Sequence, residues 1–195
     1  MLNIANYLNE AQLFKVLDKY NVFDIGTHCR KVSSFALRIF DSLSPYYELK
    51  DEERTLLHYS SILHDIGYFI NKENHHRHTK YIILKEPILD NIPKNLRNNL
   101  ALVASGHGKY IDDCIHSYSY KEKVILIKLI SLLRIADSLD HKHNLRVLLK
   151  RVEMKDGTLN INIKGDACDL IIKKFKKRSS LFTEIYNIPI NMDCS

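Results

Sequence analysis

The sequence predicts a mainly α-helical fold that closes on a small α+β appendage. Two observations predict it. From Thr27 to His141 apolar residues recur at helical spacing in one segment after another, and past Leu145 the pattern turns to alternation around Asp156-Gly157, a strong hairpin signal. At 195 residues the chain fits one main domain with a small attachment, read here as a helical unit over 1–148 and an α+β unit over 149–195 packed on it.

Taken in order, 3–22 reads as a short amphipathic helix, with Leu8, Leu13, Val16 and Leu17 available to the core. The next helix is expected over 27–43, because Val32, Phe35, Ala36, Ile39, Phe40 and Leu43 share one face, and His28 stands one turn before Val32 on that face. Ser44-Pro45 is expected to end it, and Asp51-Glu52-Glu53 supplies the acidic first turn of another helix. That helix carries Leu56, Leu57, Ser60, Ser61 and Leu63 inward and reaches His64-Asp65, with Gly67 expected to allow a sharp turn just after. The polar stretch 71–79, holding His75, His76 and His78, reads as a loop before a short helix resumes at Tyr81.

Glu86-Pro87 breaks that helix and Pro93 opens the next, whose stripe Leu96, Leu100, Val103 and Ala104 leads to His107 between Gly106 and Gly108, with Lys109 one step on. The polar, tyrosine-rich stretch 111–120 is expected to rim a cleft. The segment 121–141 is apolar around nearly its whole circumference and is expected at the centre of the fold, with Asp137 on a buried face. Strands over 152–154 and 159–163, helices over 166–177 and 180–186, and a last edge strand over 188–192 complete the reading.

Lysine and arginine exceed aspartate and glutamate by 29 to 23, which favours polyanionic partners. The run Lys173, Lys174, Lys176, Lys177, Arg178 holds much of the excess, and a solvated helix face explains it more simply than a nucleic-acid patch. Cys29, Cys114, Cys168 and Cys194 are scattered without a Cys-x-x-Cys pair, which argues against a zinc ribbon or a disulfide framework. The start lacks a signal peptide's cationic and apolar regions and no stretch reads as a membrane span, so a cytoplasmic protein with reduced thiols is expected.

The site is expected where inward polar residues cannot otherwise be satisfied. Taken singly, His28 reads as a core or capping histidine, His64-Asp65 as a chance dipeptide, and Asp137 as half of an ion pair. Together they bring nitrogen and oxygen donors from separate helices, a mixed set suited to manganese, iron, nickel, magnesium or zinc that leaves positions open for water. His78 and His107 are the expected additions for a second ion, with Asp65 bridging the two.

His28, His64-Asp65 and Asp137 in this order resemble the HD phosphohydrolase superfamily. The strings Leu63-His64-Asp65-Ile66-Gly67-Tyr68, His75-His76-Arg77-His78-Thr79 and Leu133-Arg134-Ile135-Ala136-Asp137-Ser138-Leu139-Asp140 resemble, more closely, the C-terminal HD-type region of the exopolyphosphatase/guanosine-pentaphosphatase family. The resemblance implies an HD-domain helical bundle and a metal-dependent phosphohydrolase acting on a phosphate ester or anhydride of a nucleotide-like or polyphosphate anion. The alternative is a non-catalytic regulatory HD module that senses a phosphorylated ligand. One or two divalent ions are implied, held by His28, His64, Asp65 and Asp137 and by His78 and His107, with Asp65 at the chemistry and Lys109 and Arg134 meeting substrate phosphate. The expected partner is a phosphorylated small molecule, with no membrane, nucleic acid not favoured and homo-oligomerisation left open.

Two departures limit the resemblance. In that family the HD-type region follows an actin-like ATPase-fold catalytic module, for which these 195 residues have neither room nor a Gly-rich phosphate-binding turn, so the activity of that module is not carried over. The family stretch Tyr-His-Arg-Lys reads Gly106-His107-Gly108-Lys109 here, without its arginine.

Overall fold

A computed structural model describes residues 2–140, 147–165 and 168–195. A 3-10 turn at Ile4–Asn6 precedes α1 (Glu10–Lys19), so the single helix expected over 3–22 is interrupted. The cause is local: Asn9 accepts the Gln12 backbone N–H, and Gln12 in turn accepts that of Asn9, a reciprocal cap that starts a new helix.

Helix α2 (Ile25–Tyr47) runs through Pro45, where it was expected to stop. Proline has no N–H for the carbonyl four residues back, and here the Ser44 hydroxyl donates to that Asp41 carbonyl at 3.3 Å. Helix α3 (Asp51–Leu63) leads into a 3-10 turn at Ile66–Phe69. Helix α4 (His75–Lys85) starts earlier than expected: Asn74 takes a left-handed conformation and the histidine-rich stretch becomes the first turn of the helix. After α5 (Lys94–Ser105), a 3-10 turn at Asp113–Ser117 leads to α6 (Tyr120–Leu139), capped by Ser119 and Glu122. As its composition requires, α6 is central: it packs against α2, α3 and α5, and its last two turns are wholly buried.

The appendage opens with an antiparallel hairpin, β1 (Leu148–Lys155) and β2 (Thr158–Lys164), turning at Asp156-Gly157 with both residues at positive φ. The chain then forms α7 (Cys168–Arg178) and α8 (Ser180–Tyr186), both packed on α6. It returns as β3 (Ile190–Cys194), parallel to β2 at the edge of a sheet ordered β1-β2-β3. That return brings Cys194 to Cys168, and the two form a disulfide, correcting the expectation drawn from their spacing. Twenty-six residues separate them, and only the parallel crossover closes that distance. Arg38 of α2 donates to the Leu149 and Lys150 carbonyls and joins the helices to β1.

The fold is thus mainly α with a small α+β appendage, as expected. The expected end of α6 at His141, the change of pattern at Leu145 and the start of α7 at Asp166 fall outside the described residues. Among the described residues, no helix is long and apolar enough to cross a membrane.

Candidate metal centre

The ends of five helices meet at one point. His28 lies in the first turn of α2, His64 follows the last residue of α3, and Asp65 leads into the next turn. His75 opens α4, His107 stands two residues past α5, and Asp137 is in the last turn of α6. All are buried except His75, which is partly exposed. Buried polar groups on apolar helix faces are costly unless they satisfy one another, and here they converge.

Asp65 lies between two donor groups. Its Oδ2 is 3.6 Å from His28 Nε2 and 3.5 Å from His64 Nε2, while Asp137 Oδ1 stands 3.5 Å and 4.0 Å from the same two nitrogens. Its Oδ1 is 3.3 Å from His107 Nε2 and 3.4 Å from His75 Nε2. His28, His64 and Asp65, and separately Asp65, His75 and His107, each bring donor atoms close enough to hold a metal ion.

The far nitrogen of every ring faces an acceptor. His64 Nδ1 meets the Ser61 carbonyl at 2.8 Å, His107 Nδ1 that of Ala104 at 2.7 Å, and His75 Nδ1 that of Lys72 at 3.0 Å. His28 Nδ1 meets Asp140 Oδ2 at 2.9 Å, and Lys31 holds the other Asp140 oxygen at 2.7 Å. A proton on each Nδ1 leaves the Nε2 lone pair aimed inward, the arrangement of metal-binding histidines. His75 and His107 then bring two lone pairs within 3.0 Å of each other beside a carboxylate, and His64 Nε2 is buried with no hydrogen-bond partner among the described residues. Divalent cations between these atoms would satisfy all of them, so the residues fit the group. The donor set is nitrogen and oxygen with no thiolate, which suits manganese, iron, nickel, magnesium or zinc over a closed structural zinc site.

Electrostatics divides the histidines. Burial pushes His64 down to about 4, against the pull of Asp65, and lowers His75 with help from His107. Burial also works against charge on His28 and His107, but hydrogen bonds that His28 donates to Asp137 and Asp140 raise it to about 9, and Asp65 raises His107. Asp65 and Asp137 stay well below the usual carboxylate range because the surrounding imidazoles outweigh their burial. Without a divalent ion, His28 therefore carries a proton that such an ion must displace.

The structure brings together His28, His64, Asp65, Asp137 and His107 among the residues singled out in the sequence. It does not bring in His78: neither donor group includes it, and the position expected for it is taken by His75. The two lie three residues apart, about one helical turn, and reading the stretch as a loop gives no way to choose between them. Gly67 also has a different role from the sharp turn expected. Its φ is not positive, and a Cβ there would collide with the His75 carbonyl and the Thr79 amide, so glycine is what lets α4 rest on the turn that follows Asp65. The Thr79 hydroxyl donates to the His64 carbonyl at 2.7 Å and accepts the Gly67 N–H at 3.0 Å, fixing that contact. Asp140 and Thr79 were not singled out in advance. Asp140 lies three residues past Asp137, one turn along the same helix end, which was a usable signal; Thr79 offered none.

Arg134 is buried, donates from Nε to the Gly106 carbonyl at 2.7 Å, and keeps Nη2 without a hydrogen-bond partner among the described residues. Lys109 is exposed, its ammonium 5.0 Å from the centre of the Tyr110 ring. Beside the centre, past His76, lies a cleft of about 580 Å³ lined by His76, Arg77, Lys80, Ser105, Tyr110 and Ile111, in keeping with the rim expected over 111–120.

Fold and site together define a helical domain built around a buried histidine–aspartate centre able to hold metal. The family model described as Ppx/GppA phosphatase, domain III matches residues 11–176, from α1 through most of α7, and the chain belongs to that family. The family relationship implied by the sequence strings is thereby borne out. No curated protein matches the chain.

Proposed function

We propose that this chain is a metal-dependent phosphohydrolase of HD type that cleaves a phosphate ester or anhydride of a nucleotide-like or polyphosphate anion. The observation that carries the reading is Asp65, whose two oxygens face two separate sets of histidine nitrogens. His28, His64, Asp65 and Asp137 would hold a first ion, and His75 and His107, with Asp65, would hold a second. Divalent cations there supply Lewis acidity toward phosphoryl oxygens and lower the pKa of water at neutral pH. Asp140 fixes the His28 ring, and the Ser61, Lys72 and Ala104 carbonyls fix the other three, which holds each Nε2 inward. Arg134 offers its unpartnered Nη2 to a phosphoryl oxygen, and Lys109 meets charge that extends past the rim.

A second reading is a regulatory module that binds a phosphorylated ligand and catalyses nothing. It draws support from the matched model, which describes one domain of a phosphatase and not the whole. Elemental analysis of protein purified without chelator, followed by assays on phosphate esters and anhydrides with each candidate metal, separates the two. Bound divalent metal with turnover that Asp65→Asn abolishes is the expected result. Metal without turnover favours the regulatory module, and no metal with none restoring activity overturns the hydrolase.

A further inference from the structure

The basic run of α7 is not a uniform solvated face. Lys173, Lys176 and Lys177 are exposed, whereas Lys174 and Arg178, one turn apart, are partly buried on another side of the helix. Arg178 Nη1 donates to the His107 carbonyl at 3.0 Å, next to the Gly106 carbonyl that Arg134 holds. Two guanidinium groups from different helices thus grip consecutive carbonyls at the residue whose ring faces Asp65.

We propose that Arg134, Lys174 and Arg178 form an oxyanion subsite for a phosphoryl group, assembled between α6 and α7 beside the metal centre. Arg134 and Arg178 hold consecutive carbonyls and Lys174 lies one turn from Arg178 on α7; among the described residues none of the three has a carboxylate within ion-pair distance, although Arg134 is buried and the other two are partly so. Burying like charges without a counter-charge is unfavourable, and a bound anion reverses the sign of that cost. Burial pushes Lys174 down to about 8 against the pull of the Asp137 and Asp65 carboxylates, with Arg178 adding to burial; burial and Arg178 push Arg134 down to about 10. Arg134 Nη2, buried and without a hydrogen-bond partner among the described residues, is a donor still to be used.

The assignment rests on the reading of the centre as one that receives a phosphorylated ligand, yet capture and hydrolysis can be measured apart. Inorganic phosphate is titrated by calorimetry into the full chain after treatment with chelator, at low salt. Phosphate should bind, Lys174→Met should weaken it by about tenfold or more, and Lys173→Met should change it by less than about twofold. Because Lys174 has no hydrogen-bond or ion-pair partner among the described residues, Lys174→Met without phosphate should melt at or above the wild-type temperature, which also shows that it folds. No phosphate binding by the wild type, equal binding by Lys174→Met, or equal loss in Lys173→Met would each overturn the subsite. Metal-loaded protein that turns over no substrate, while phosphate capture still depends on Lys174, sinks the hydrolase reading and leaves the subsite. Turnover with KM unchanged in Lys174→Met does the reverse.

Discussion

The two sides of Asp65 are built differently. On the inner side, His28 and His64 have side chains 1% and 0% exposed, set in long helices whose apolar faces pack against α6. On the outer side His75 is 22% exposed and opens a helix that begins at a left-handed asparagine, held in place by the Gly67 contact and the Thr79 hydroxyl. The inner donors are positioned by the core itself. Of the outer pair, His107 is buried past α5 and only His75 depends on how α4 docks, so an outer ion should bind more weakly and exchange faster than an inner one.

Removing the shared residue should have the largest effect. Asp65→Asn is expected to lower affinity for both ions by more than about a hundredfold, beyond the ~10–100-fold usual for outer partners of ligands. Metal content measured by elemental analysis tests it, and one ion retained at full occupancy would show that the two sides do not share the carboxylate. Next comes Gly67→Ala, whose methyl group pushes α4 off its seat: a destabilisation of about 1–3 kcal/mol is expected, with the outer ion lost and the inner one kept. Loss of both together would show that the sides are not independent.

Smaller and more selective effects follow. Asp140→Asn should weaken the inner ion by ~10–100-fold through the His28 ring and leave the outer one alone. His75→Ala should weaken only the outer ion, whereas His78→Ala should match the wild type; a titration that reverses these two would return His78 to the site.

The inner side should also respond to pH. In metal-free protein His28 is raised from 6.5 to about 9, so its contribution to stability is complete below pH 6.5 and is lost as pH rises through 9. Asp65 and Asp137 are lowered, so theirs is present above about pH 3.8 and is lost as pH falls below it. Thermal melts with chelator should therefore show declining stability from pH 6.5 to 9.5. Loaded protein should lack that decline, and metal affinity should rise about tenfold per pH unit over the same range as one proton is displaced. A metal-free melt that is flat across this range would remove His28 from its assigned charge state.

Periodicity made the inner side legible. His28 extends the stripe of Val32 and Phe35, His64 that of Leu57, and Asp137 that of Ile130 and Leu133, so a helical repeat alone put three polar groups on buried faces. Composition likewise marked the central helix, and Asp156-Gly157 the hairpin. Side-chain direction follows from the local repeat, so residue order alone is enough to tell which residues face inward and which element types carry them.

Tertiary structure alone decided the remainder. Whether His75 or His78 faces Asp65 depends on where α4 begins, which Asn74 and the close approach at Gly67 settle together. The pairing of Cys168 with Cys194 needs the parallel return of β3, and the turning of Lys174 and Arg178 away from their exposed neighbours needs α7 to lie on α6. Each of these joins residues far apart in the chain, and a contact of that kind is specified by packing, which no local repeat encodes.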